Sequence, residues 1–406
     1  MTMTAGDSLA TGQRSLGDKD ISYPLWPPLT NGCPRTSTDE VAYPVEVDYT
    51  YERVNSDLLS HSGRGSRGSG LDRWAPLLPP LAAPGLGEGG TPLVDIGGGV
   101  FVKDESRNPT WSHKDRLNRC TVSAAVGVGA QGVVVASSGN HGASAAAFAA
   151  RAGLRCVVLA SDGMPPAVDT FLNAYGATVL PVPEAARWPL MRQLVERFDL
   201  HPVSNLTVTH TGHPFGAEGY KTIAYEIFTE LGVPEAVFVP TGYGELLFGV
   251  WKGFAELKRL GLAQRTPRMF ACEPAAGGPL AAALRAGRLT GRIPVGPTSA
   301  YAIDCSVAGH RGIVAVRESG GEALVVSDEE MRSAQSELAG QGLWAELSSA
   351  AGLAGLRGYG AFDGPVVCVS TSSGFKDLSV GSRKSEAVEP TWDGVLSRLR
   401  ATGFPT

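Results

Sequence analysis

Cysteine is scarce in this 406-residue chain: Cys33, Cys120, Cys156, Cys272, Cys305 and Cys368 are all there are, and no two form a CxxC pair. That excludes a small disulfide-built scaffold and predicts a reduced, cytoplasmic setting. No run of 18 apolar residues occurs, so no transmembrane helix and no membrane partner are expected. The polar opening MTMTAGDSLATGQRSLGDKD lacks the apolar stretch of a secretory signal. Excess positive charge is missing too. Lys+Arg number 35 against 40 Asp+Glu, a net charge of −5, which argues against nucleic acid as a partner. His210 and His213 are close in sequence, but no third ligand stands at metal spacing, so no metal is expected. Glycine, by contrast, is abundant: 52 residues exceed the average of roughly 7%. The glycines have no period, which excludes a collagen-like chain. They cluster beside apolar runs, as the tight turns of an α/β protein require.

Hydrophobic residues make up 43% of the chain, enough for two or three domains with ample cores. Residues 1–90 read as a leader, a flexible Gly/Arg/Pro-rich segment (HSGRGSRGSG, then PLLPPLAAPGLGEGG) and a docking arm. Little order is expected in 1–40 and 61–91, with VAYPVEVDYTYERV as a strand and docked arm between them. From residue 92 the pattern changes. PLVDIGGGVFVKDE predicts two strands about a Gly turn, and SHKDRLNRCTVSAAVGVGA a helix. The runs GVVVA, RCVVLA, TVLPV, AVFVP, RMFACEP, EALVV and PVVCV read as buried strands alternating with helices. Such alternation predicts parallel sheets covered on both faces, in an N-terminal α/β domain (91–215) and a C-terminal one (216–385), followed by a tail (386–406). Ligands of open α/β sheets sit beyond the carboxyl ends of the strands, where helix N-termini also point.

Four clusters carry chemistry. In Asn108-Pro-Thr-Trp-Ser-His-Lys-Asp-Arg116, Lys114 falls near a predicted helix N-terminus, whose dipole disfavours an ammonium. Burial would favour the neutral amine further, and a neutral amine is what Schiff-base chemistry needs. Ser137-Ser-Gly-Asn-His-Gly142 follows a strand and can hold the Asn140 amide over a planar ligand; taken alone it is also an ordinary strand-to-helix turn. Thr241-Gly-Tyr-Gly-Glu-Leu246 lies at another strand-to-helix turn. The backbone N–H groups of Gly242, Tyr243, Gly244, Glu245 and Leu246 can cradle an anion there. No Lys-Ser/Thr follows and no full GxGxxG stands there, so a nucleotide loop is disfavoured. Val369-Ser-Thr-Ser-Ser-Gly-Phe-Lys376 places hydroxyls, Thr371 among them, at a strand end.

In this order the clusters resemble the fold-type II pyridoxal 5'-phosphate enzymes, and among them threonine synthase and its relatives. FVKDESRNPTWSHKDR is similar to that family's KDE…NPTGSFKDR; ESGGEALVVSDEEM and GLWAELSSAAGLAGL resemble its later segments. The resemblance covers about residues 90–380. It implies an α/β fold of two open parallel-sheet domains, the tryptophan synthase beta-like architecture, and a homodimer. It also implies that Lys114 holds pyridoxal 5'-phosphate as a Schiff base and that Asn140 meets the 3′-oxygen. Residues Gly242–Leu246 would hold the cofactor phosphate, and Thr371 would meet the pyridine nitrogen. The implied function is a PLP-dependent carbon–oxygen lyase or synthase acting on an amino-acid substrate by β- or γ-elimination or replacement. A serine/threonine-type ammonia-lyase is the alternative, and a catalytically silent PLP-fold binding protein the alternative of another class.

Against the family pattern, residues 161–167 (SDGMPPA) lack the usual Lys. His213 stands for Asn and Gly216 for Arg in Gly212–Lys221. An Arg fork is hard to replace in phosphate recognition, so the expected substrate is not O-phosphohomoserine. Trp111 stands where Gly is usual, His113 where Phe is usual, and Glu245 is an unusual acid in a phosphate loop. His113 reads either as a second acid/base or as a packed histidine; Glu346 in AELSSA has a family counterpart of open role.

Overall fold

The computed structural model describes residues 8–59, 70–161, 163–207, 210–377 and 387–405. The Gly/Arg-rich stretch near residue 65 and Asp162 lie outside the described residues. Residues 8–40 are more ordered than their sequence predicts. Strands β1 (Ala10–Ser15) and β2 (Ser22–Pro24) pair with β3 (Val45–Tyr49) in an antiparallel sheet of order β2-β1-β3. The cause is polar, which is why apolar periodicity misses it. The buried Gln13 amide donates to Pro24 O at 2.9 Å and Pro27 O at 3.0 Å, and accepts from Leu29 N at 2.9 Å. Gly70–Leu77 also departs from the expected flexible loop, forming a 3₁₀ helix that buries Trp74 and Leu77.

The α/β body opens with β4 (Leu93–Asp95) and β5 (Val100–Asp104) and then α1 (Lys114–Gly127). A compact run follows: β6 (Gly132–Ala136), α2 (Asn140–Arg151), β7 (Arg155–Ala160), α3 (Pro166–Ala174), β8 (Thr178–Pro181), α4 (Glu184–Phe198) and β9 (His201–Pro202). Its four strands form a parallel sheet in the order β8-β7-β6-β9. Side chains alternate across it as a strand's period of two demands. Val133 and Val135 face Phe148 and Leu172 on one side, while Val134 and Leu159 face Met191 on the other.

The chain then forms α5 (Gly216–Tyr220), α6 (Thr222–Leu231), β10 (Ala236–Pro240), α7 (Glu245–Arg259), β11 (Arg268–Pro274) and α8 (Pro279–Arg285). A short hairpin, β12 (Gly291–Arg292) with β13 (Val307–Ala308), precedes α9 (His310–Ser319), β14 (Glu322–Val326), α10 (Asp328–Gly340), α11 (Ala351–Tyr359), β15 (Val366–Ser370) and the outlying α12 (Trp392–Ala401). The second sheet runs β14-β11-β10-β15-β5-β4, parallel except at β4. It takes β4 and β5 from the start of the body, β5 lying beside β15. Val237, Val239, Val367 and Val369 pack against the α6, α7 and α9 face; Phe238, Phe270 and Cys368 pack against α10 and α11. The carboxyl ends of β6, β10 and β15 thus open toward one another, each leading directly into one of the polar turns.

Candidate active site

The segment around Lys114 is held by buried charge. Arg116 Nε donates to Glu105 Oε2 at 2.7 Å and its Nη1 to Glu226 Oε1 at 2.7 Å; Lys103 Nζ reaches Glu226 Oε2 at 2.7 Å. Thr91 Oγ1 donates to Glu105 Oε1, and Gly90 N and Asn108 Nδ2 are second donors to Glu226 Oε1 and Glu105 Oε2. Asp115 accepts from Thr110 N at 2.6 Å, closing the turn that precedes α1. Burial alone would raise the Glu226 carboxyl, but Arg116 and Lys103 more than reverse this and hold it below the usual carboxylate range. Lys103, Glu105, Asn108, Asp115 and Arg116 of the motif are therefore scaffold. They present Lys114, whose side chain is left out of that network.

Lys114 is the first residue of α1, and among the described residues its Nζ has no hydrogen bond or ion pair. Burial lowers its ammonium below the ordinary lysine value, with Cys305 and Glu245 opposing only in part. It lines a cavity of about 910 Å³ together with Asn140, Gly242, Tyr243, Gly244, Glu245, Leu246 and Thr371. The structure thus brings every sequence-predicted site residue to one cavity from four strand ends and helix starts.

The Gly242–Leu246 turn enters the fifteen-residue α7. The N–H groups of a helix's first turn have no intrahelical partner, and the helix dipole favours an anion there. Side chains are excluded at the turn's two glycines. A Cβ on Gly242 would lie 2.7 Å from Cys305 Sγ, and one on Gly244, at φ +91°, 2.8 Å from Gly312 Cα. Gly244→Ala is expected to weaken pyridoxal phosphate binding about tenfold or more, measured by titration of the cofactor into apoprotein. The Glu245 carboxylate is paired: Arg311 Nη1 bonds it, and Arg311 Nη2 donates to Val45 O at 2.6 Å. Its Oε1 lies 3.6 Å from His210 Nε2, and His210 stacks on Tyr243 at 4.1 Å. Burial raises the Glu245 carboxyl, with Arg311 opposing.

Thr371 Oγ1 hydrogen-bonds Ser349 Oγ at 2.8 Å, a neutral hydroxyl pair at the end of β15. His113 Nδ1 lies 3.1 Å from Thr371 O, and its backbone N donates to the same carbonyl at 2.9 Å. Burial, then the neighbouring Lys114, keep His113 well below the usual histidine value. Neutral, with Nδ1 donating, it ties the Lys114 turn to the β15 end. His141, partly buried, is pushed down to about 3, chiefly by desolvation. Trp111 has a left-handed backbone, at φ +61°, and packs edge-on against Phe171 at 5.4 Å. His213 faces His201, Nε2 to Nε2 at 2.9 Å, so His210 and His213 do not converge on one point. Gly216 is packed against Leu117, whose Cγ would lie 3.1 Å from an added Cβ.

Sequence reading did not single out Arg311, Ser349 or Lys376. Arg311 and Ser349 have no local signature, their partners lying 66 and 22 residues away. Lys376 lies within the Ser-rich turn, and its partner Asn140 is 236 residues away.

A helix N-terminus with two glycines, an unpaired lysine whose ammonium burial disfavours, and a neutral hydroxyl pair meet in one cavity of an open α/β fold. These residues fit pyridoxal phosphate. The family model described as pyridoxal-phosphate dependent enzyme matches residues 85–372, and the chain belongs to that family. Within it the chain is threonine synthase-like. It is 32% identical over 387 residues to the threonine synthase of Methanocaldococcus jannaschii, covering 87% of this chain and 94% of that one. It is 36% identical over 320 residues to the threonine synthase of Synechocystis sp., covering 71% and 78%. Among solved structures, maize serine racemase matches with TM-score 0.62 at 19% identity, over 77% of this chain and 93% of that one. The processed threonine deaminase isoform 2 of Solanum lycopersicum matches with TM-score 0.61 at 18% identity, over 78% and 84%. These two share the fold. The cofactor is pyridoxal 5'-phosphate.

Proposed function

We propose that the protein catalyses β- or γ-elimination or replacement on an amino acid, with Lys114 as Schiff-base residue and base, and that its substrate is not O-phosphohomoserine. The observation that carries the reading is the unpaired Lys114 Nζ, deprotonation-prone through burial, in the cavity that the α7 N-terminus also faces. Pyridoxal phosphate, when bound, supplies the electron sink that makes a substrate Cα proton removable. The rest is the chain's own work. The N–H groups of Gly242–Leu246 hold the phosphate, and Lys114 Nζ takes the Cα proton. For a γ leaving group, the same amine removes a second proton at Cβ. The Thr371 hydroxyl, backed by Ser349, is a neutral partner for a ring nitrogen. It gives a weaker electron sink than a carboxylate would, suited to losing a leaving group.

The substrate proposal rests on positions 213 and 216, which carry no cation. Gly216, where the resemblance implies Arg, carries no side chain and has Leu117 pressed against it. His213 is neutral, held well below its ordinary value chiefly by burial, and is engaged with His201. Purified protein mixed with amino acids and their O-acetyl and O-phospho derivatives gives the test. A non-phosphate β- or γ-substituted amino acid is expected to shift the violet cofactor band at lower concentration than O-phosphohomoserine. Tightest response to O-phosphohomoserine would contradict the proposal, and release of a keto acid with ammonia would assign the ammonia-lyase reaction.

A further inference from the structure

Asn140, the first residue of α2, lines the cavity. A primary amide is nearly symmetric in shape, so its direction is set by the hydrogen bonds around it. Here the neighbours allow one direction. Lys376 Nζ, which can only donate, stands 2.8 Å from Asn140 Oδ1; Ser372 Oγ lies 3.1 Å from the same oxygen and shares its one hydrogen with Trp111 O at 3.2 Å. On the other side Asn140 Nδ2 donates to Glu346 Oε2 at 2.9 Å. Lys376 and Glu346 are each only 1% exposed. Reversing the amide would set its NH₂ against an ammonium and its oxygen against a carboxylate, both shielded from water.

Neither charged side chain takes part in the chemistry proposed above. Lys376 reaches Asn140 from the turn after β15, and Glu346 from the segment before α11; their only shared target among the described residues is this amide. The amide nitrogen has two hydrogens, and Glu346 takes one.

We infer that Lys376 and Glu346 are positioning residues that lock the Asn140 amide with its remaining Nδ2 hydrogen available to the 3′-oxygen of pyridoxal phosphate. The inference rests on the cofactor reading of the site. Its consequence is electronic. A hydrogen bond donated to the 3′-oxygen favours that oxygen's anion, with the shared proton on the Schiff-base nitrogen, the form that absorbs in the violet. Without the donor the proton moves toward oxygen, and a near-ultraviolet band grows at the violet band's expense.

The test is the ratio of the two bands in cofactor-loaded protein at neutral pH, for wild type, Lys376→Met, Glu346→Leu and Asn140→Ala. All three variants are expected to lower the violet-to-ultraviolet ratio, Asn140→Ala and Lys376→Met by about tenfold. The Lys376→Met, Asn140→Ala double variant is expected to fall no further than Asn140→Ala alone. A plain charge effect predicts otherwise: removing a cation and removing an anion move the ratio in opposite directions. Opposite shifts, additive shifts or no shift would overturn the inference while leaving the cofactor reading intact. If Lys376→Met fails to fold, Glu346→Leu decides by the sign of its shift alone. Absence of any violet band in wild type loaded with the cofactor would overturn both.

Discussion

Lys114→Ala is expected to yield a folded protein that has lost about 10³-fold or more of its turnover and no longer binds pyridoxal phosphate covalently. General-base catalysis alone accounts for roughly 10²–10⁴-fold, and Lys114 is also the sole unpaired amine lining the cavity among the described residues. The stability change should be small, because removing a side chain without hydrogen-bond partners orphans no buried group. The check is steady-state turnover beside a thermal unfolding curve. Turnover within tenfold of wild type would remove Lys114 from the chemistry.

Arg116→Met is expected to cause the largest stability loss, about 3–5 kcal/mol. It leaves Glu105 and Glu226 facing each other's surroundings with only Lys103 as a cation among the described residues. Urea unfolding of the apoprotein measures it, and the pH dependence identifies its origin. Glu226 is depressed in the folded state by Arg116 and Lys103, against the raising effect of its burial. Such a carboxylate contributes stability that is present above its unfolded value, about 4.3, and is lost as pH falls toward the folded value. The difference between wild type and Arg116→Met should therefore be full at pH 6 and shrink below about pH 4. A difference independent of pH down to acid would mean packing, not the ion cluster, is responsible.

The α/β body was legible because its strands are short β-branched runs ending at Gly, Ser or Pro. GVVVA and PVVCV carry their own boundaries, and their parallel pairing follows from the helices between them. The arm was not, because Gln13 orders it through backbone carbonyls eleven to fourteen residues away, a cause with no apolar period. The same distinction runs through the site. Lys114, Asn140, Gly242–Leu246 and Thr371 sit at turns that local sequence marks, and all line the cavity. The partners that orient them come from far along the chain. Lys376 lies 236 residues from Asn140, and Arg311 lies 66 from Glu245. Charge pairing at such separation leaves no local pattern.

The central claim, that Lys114 is the amine that holds the cofactor, has a direct chemical test. The protein is loaded with pyridoxal phosphate, reduced with borohydride to fix the Schiff base, digested, and mapped by mass spectrometry. The account predicts a single phosphopyridoxyl adduct, on Lys114, absent from Lys114→Ala. An adduct on another lysine such as Lys376, or none after saturation with the cofactor, would contradict it.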